Sequence, residues 1–243
     1  MKALLLLILV IATRFSVCQE IAEKKGYKYN NNFDLALSTN STQQTGALSW
    51  VHLHSLTKKK RFKIGYGLRF TSQIGKDLTY TTAPAKLVAQ QTGPQVLFSK
   101  KYLENVDTFN VANSNHNMLN VSINIQYTIK EKLDIGFNID ASGFTFGKKV
   151  NGAYQSYQDT KNVSSQPAQP TSLNALLVGE NDNGSLNSEL YLRYWLCEKW
   201  GVKAGITYLF TEYTTENKLR LDNDRWRNKS VLGMITISYS PFR

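Results

Sequence analysis

From Phe33 onward the chain alternates apolar and polar residues in eight short stretches. The clearest covers Leu119 to Thr128. There Leu119, Val121, Ile123, Ile125 and Tyr127 share one face, and Asn120, Ser122, Asn124, Gln126 and Thr128 share the other. A period of two is that of a β-strand, whose successive side chains point to opposite faces. The pattern predicts strands near 32–42, 46–56, 61–73, 117–129, 133–146, 185–196, 201–214 and 230–242. The third sets Phe62, Ile64, Tyr66, Leu68 and Phe70 against Lys63, Gly65, Gly67, Arg69 and Thr71. In the second, Val51 and Leu53 compete with Trp50 and Leu56 for the apolar face, so its register stays open.

The connections alternate too. Those after strands two, four and six are short (Thr57–Arg61, Lys130–Lys132, Cys197–Trp200). Those after strands three, five and seven are long, near Ser72–Asn115, Gly147–Asn183 and Glu216–Lys229. Only the first hairpin, placed around Gln43–Gly46, is short on the long-loop side. A strand needs about 9–11 residues to cross a bilayer, and an even strand number brings both ends to one rim. The fold class expected is all-β, an eight-stranded antiparallel up-and-down transmembrane β-barrel with long extracellular loops. A soluble barrel with the same period and the opposite facing is the alternative.

The N-terminus sharpens this. Met1 and Lys2 precede the apolar run Ala3–Ala12, too short for a membrane helix but suited to a secretory signal. Ser16 and Cys18 place small residues before an expected cut between Cys18 and Gln19; a lipidated Cys18 is the alternative. The expected division is a signal peptide over 1–18, a short periplasmic lead-in over 19–31 and the barrel over 32–243. Cleavage would leave Cys197 as the one cysteine and no internal disulfide. The net charge of +11 would suggest nucleic acid in a cytosolic protein, but export argues against it. The lysines also gather at predicted turns, without the interleaved aromatic residues of single-strand binders.

Taken together, the signal peptide, the alternating strands, the long outer loops and the aromatic-bearing last strand Ile237-Ser-Tyr-Ser-Pro-Phe242 resemble the small outer-membrane β-barrels of Gram-negative bacteria. The likeness covers nearly the whole mature chain and is specific to architecture, since structural, adhesive, pore-forming and enzymatic members share it. Arg243 departs from the family's terminal aromatic residue. The resemblance implies an outer-membrane location, with membrane lipid and lipopolysaccharide around the barrel and the barrel-assembly machinery as a partner during insertion.

An eight-stranded barrel is just wide enough inside for side chains to fill. Alternation points Asp34, Asp134, Asp140 and Glu189 inward with Lys63, Arg69, Arg193 and Lys203. Such charges are costly unless paired, so a plugging network is expected, with an ion or proton path as its alternative. Three histidines, His52, His54 and His116, allow catalysis to be weighed. His54 and Ser55 are strand neighbours and face opposite ways, so they form no dyad. His52 and His54 share a face but lack a third metal ligand. Glu180–Gly184 and Asp222–Asp224 are ordinary turn chemistry, although both could ligate calcium. Arg220, Arg225 and Arg227, with Lys229, could meet lipopolysaccharide phosphates. The function expected is a non-enzymatic barrel with a plugged polar lumen and no metal or cofactor. Its extracellular loops, of unknown partner, would serve surface interaction or envelope integrity. A narrow pore is the first alternative and a lipid-modifying enzyme the second.

Overall fold

The computed structural model describes residues 29–177 and 179–242; the expected signal peptide, its cut and most of the lead-in lie outside them. All eight expected strands are present: β1 (Tyr29–Thr39), β2 (Gln43–Ser55), β3 (Phe62–Thr82), β4 (Thr108–Lys130), β5 (Leu133–Phe146), β9 (Leu186–Trp195), β10 (Trp200–Thr215) and β11 (Arg225–Phe242). Each pairs antiparallel with the next, and β11 returns to β1 through pairs such as Leu35 with Ile237. The ring is closed. Closure leaves no sheet edge in these eight strands below the loops.

Facing is unambiguous in this ring. Val121 and Ile123 are 47% and 43% exposed on the outside, while Asn120, Ser122 and Asn124 between them are at most 2% exposed. The open register of the second strand resolves with Leu48 and Trp50 outward and Val51 and Leu53 inward. His52 and His54 therefore point outward beside Trp50 and Tyr66, in an aromatic group at the short-turn rim. In β5 a bulge at Ala141 shifts the pairing, so Val121 faces Ser142 and Ser122 faces Asp140. The extra residue keeps Asp140 inside while Phe144 and Phe146 still face out.

Several boundaries differ from expectation. The first turn is Asn40–Thr42, not Gln43–Gly46: the Asn40 side-chain oxygen accepts the N–H groups of Thr42 and Gln43, a local bond that competes with the ladder and turns the chain. Strands β3 and β4 run to 21 and 23 residues, about twice a bilayer crossing. The long fifth connection also contains β6 (Val150–Gln155), β7 (Val163–Pro170) and β8 (Leu173–Ala175), and the third holds one helical turn, α1 (Ala85–Val88). Cys18, whose removal with the signal would leave Cys197 alone, lies outside the described residues.

The extra strands build a second closure above the first. Where the β1–β2 hairpin ends, β11 pairs directly with β3 (Trp226 with Thr82). The ring then continues through β4, β6, β7 and β10 back to β11. Six strands close this upper collar, and inside it Leu78, Tyr80, Phe109, Val111, Ala168, Tyr213 and Trp226 form an apolar cluster.

A paired irregularity makes this core. Lys76 pairs with Asn113 and Leu78 with Val111, so Asp77 and Ala112 are both extra residues, and Asp77 has φ +50°. Below this point the even positions of β3 and the odd positions of β4 face outward; above it they face inward. One added residue per strand reverses every later side chain. The apolar parity of the sequence runs on unbroken, but the wall carries it from the outside to the inside.

Candidate functional site: a charged lumen beneath an apolar seal

Ionisable side chains converge in the lumen. Strands β1, β3, β5, β9 and β10 bring Asp34, Arg69, Asp134, Asp140, Glu189, Arg193 and Lys203 inside, each at most 5% exposed. Lys63, at the short-turn mouth, is half-buried. Two clusters form. In the lower one Lys203 Nζ lies 2.5 Å from Asp34 Oδ2, with Arg193 Nη2 at 3.6 Å from the same oxygen. Arg193 also donates to Gln126. In the upper one Arg69 lies 3.3 Å from Asp140 and 3.5 Å from Glu189. Asn138 joins them, accepting from Arg69 and donating to Glu189 at 2.8 Å.

Asp134 stands apart from both clusters and accepts from Thr128 and from the Trp195 indole. Tyr191 fills the space between the clusters. Lys203 Nζ sits 4.2 Å from its ring centroid, and its ring lies where a Cβ on Gly136 would come within 2.4 Å. Glycine at 136 is what admits the ring. Charges of both signs, with amide and hydroxyl partners, thus gather along the lumen.

Above the charges the lining turns apolar. Met118, Leu209 and Leu232 pack together inside. Next comes a polar layer in which His116 and Ser114 approach to 3.2 Å. This pair was not anticipated, although an i, i+2 spacing on one strand face could have flagged it. It is not built as a nucleophile and base. The Ser114 hydroxyl already bonds Tyr80 and Gln73, the His116 ring faces the Glu212 carbonyl, and both residues are at most 3% exposed beneath the aromatic cluster. Tyr80, Tyr213, Phe109 and Trp226 then seal the collar.

The three arginines expected to meet external anions each grip a carboxylate of the protein instead. Arg220 makes a fork to the buried Asp107 at 2.8–3.0 Å. Hydrogen bonding to that carboxylate holds its guanidinium above its ordinary range. Tyr154 bonds the same carboxylate, and burial together with that negative charge raises its phenol. Arg225 and Arg227 both grip Glu212, which is fully buried, and both donate to the Asp182 carbonyl. Arg227 is the cross-strand partner of Glu212 on β10 and Arg225 lies two residues away on the same face, whereas Arg220 reaches Asp107 on a neighbouring connection. Asp182 in turn accepts the Leu177 N–H, an ordinary turn role. Among the described residues no group of three or more His, Cys, Asp or Glu is arranged to hold a metal.

No protein-family model matches the chain, and no curated protein is significantly similar to it. Among solved structures it is similar to Neisserial surface protein A, at 6% identity over 89% of this chain and 99% of that one, with a TM-score of 0.37. It is similar to Ail, the attachment invasion locus protein of Yersinia pestis, at 8% identity over 87% and 95% of the two chains, TM-score 0.33. A major outer membrane protein from Thermus thermophilus is similar at 10% identity over 88% and 100%, TM-score 0.36.

Proposed function

We propose that this chain is an outer-membrane β-barrel protein whose lumen is sealed, and that it acts through its long-loop surface in surface interaction or envelope integrity rather than through catalysis or conduction. The observation that carries this reading is the change of lining along one closed wall. An apolar exterior belt surrounds paired charges, and the aromatic collar blocks the same axis above them. A belt of that kind is stable only against lipid or detergent. Membrane lipid and lipopolysaccharide are then its surroundings, and the barrel-assembly machinery its partner during insertion.

The test is made on the full chain refolded in detergent and placed in planar bilayers. The expected result is heat-modifiable migration on a gel together with no steady single-channel current. Large, steady currents would replace this reading with transport of small solutes or ions. A monodisperse protein in plain buffer would remove the membrane altogether.

A further inference from the structure

The outer wall carries a groove of about 850 Å³ that crosses five neighbouring strands, from β10 through β11, β1 and β2 to β3. Its lining includes Ala204, Gly233, Ile235, Leu37, Gly46 and Ile74. Two glycines make it. At Gly46 an added Cβ would meet only a Leu37 methyl at 3.9 Å, and at Gly233 only the Thr39 carbonyl oxygen at 3.9 Å. Elsewhere in the wall the reason for glycine is contact: a Cβ at Gly65, Gly143 or Gly205 would come within 2.1 Å of a backbone oxygen. At 46 and 233 nothing in the protein requires a missing side chain. What the two glycines do is hollow the surface.

The height of the groove indicates what fills it. Gly46 pairs with Ser72, which pairs with Asn117; one step below, Phe70 pairs with Leu119. The apolar belt on β4 ends at Leu119 and polar Asn117, Asn115 and Asn113 follow, so the groove lies at the upper border of the belt. Above it the exposed Thr39 and Gln44 form a polar shoulder, around the turn whose Thr42 carbonyl accepts the Lys76 N–H and whose Asn40 amide bonds the Val231 carbonyl. Lys76 on β3 and Lys229 on β11 flank that turn from either side, both exposed; Lys229 Nζ lies 5.4 Å from the Phe210 ring centroid, and Asp77 follows Lys76.

From bottom to top, then, the wall offers an apolar trough, hydrogen-bonding groups and two cations. We infer that this groove binds one phosphate-bearing membrane lipid, an acyl chain lying over Gly46 and Gly233 and the headgroup phosphate meeting Lys76 and Lys229. This rests on the membrane reading above, and it moves lipid recognition from the carboxylate-paired arginines to the β1–β2 hairpin.

The test uses the full chain folded in a neutral detergent and offered lipid A with both phosphates, lipid A with the phosphates removed, or inorganic phosphate alone, with retention read by native mass spectrometry. The chain is expected to keep one bisphosphorylated lipid, to hold the dephosphorylated lipid roughly tenfold more weakly, a difference near 1.4 kcal/mol, and to keep no inorganic phosphate. G46L/G233L fills the trough and should abolish retention of both lipids, whereas K76Q/K229Q should lower the bisphosphorylated lipid to the dephosphorylated level. Heat-modifiable migration is expected to survive in both; if the leucine pair does not fold, G46A/G233A should show a partial loss. Equal retention by the wild-type chain and the folded variants overturns the proposal, as does equal retention of the two lipids. A chain that needs detergent yet keeps no lipid overturns the groove alone; a chain monodisperse in plain buffer overturns the membrane reading with it.

Discussion

The eight-stranded ring and the six-stranded collar are continuous in β3, β4, β10 and β11, yet they face opposite ways. In the ring Val121 and Ile123 point out and Asn120 and Asn124 point in; in the collar Phe109 and Val111 point in and Asn110 points out. One type of ladder therefore serves two solvents. Burial favours apolar side chains wherever water is absent, and for the ring that place is outside, whereas for the collar it is the axis. The route differs between strands. β3 and β4 invert by one added residue each, while β10 and β11 keep their alternation and change composition, placing Tyr213 and Trp226 at inward positions that hold Lys203 and Thr236 lower down.

The largest expected effect comes from undoing the inversion. Deleting Lys76 and Asp77 together with Ala112 and Asn113 leaves plain alternation onward from Gly75 and Ser114 and drives Leu78, Tyr80, Phe109 and Val111 outward. At about 1.5–3 kcal/mol per exposed side chain, the collar should lose at least roughly 6 kcal/mol. Protease should then cut above the membrane in the variant and not in the wild type, while the ring keeps its heat-modifiable migration. An intact, protected collar in the deletion variant would show that the added residues do not set the facing.

Next in size is the lumen. Arg69→Ala leaves Asp140 and Glu189 facing each other without their shared cation, and removing one partner of a buried pair commonly costs about 3–5 kcal/mol. Urea unfolding in lipid vesicles measures it, and a loss below about 1 kcal/mol would mean that water inside the barrel substitutes for the guanidinium. Asn124→Ala, an inward change that removes only a local bond to Ser122, should cost less.

The smallest contrast is the most direct one. Val121→Arg puts a charge on the lipid face and should cost roughly 2–4 kcal/mol at midplane depth. Asn113→Arg, on the polar outer face above the apolar belt and just beneath the collar, should stay within about 0.5 kcal/mol. Equal costs in the same unfolding assay would place both faces in one solvent.

Much of the ring was legible in the sequence. Period-two stretches as regular as 61–73 and 117–129 specify facing residue by residue, and short turns such as Lys130–Lys132 specify which strands are neighbours. The inward positions of Asp34, Asp140, Glu189, Arg69, Arg193 and Lys203 followed from that facing alone. Their partners did not: Asp34 meets Lys203 from 169 positions away, and Asp134 meets the Trp195 indole. The collar was illegible for a different reason. Tyr80, Phe109 and Val111 continue the parity of the lipid-facing set, and nothing in the string 76–78 marks an added residue. The partners of the last-loop arginines were not legible either, because Asp107 lies just before β4 and Glu212 on β10.

By itself, then, the sequence determined the period, the eight strands of the ring and the apolar face of every crossing strand except β2, because each is a property of residues one or two apart. Only the tertiary structure decided where the faces exchange, which charges pair, and that two glycines on β2 and β11 share one hollow. Those depend on the register between strands distant in sequence, and a register exists only once the wall has closed.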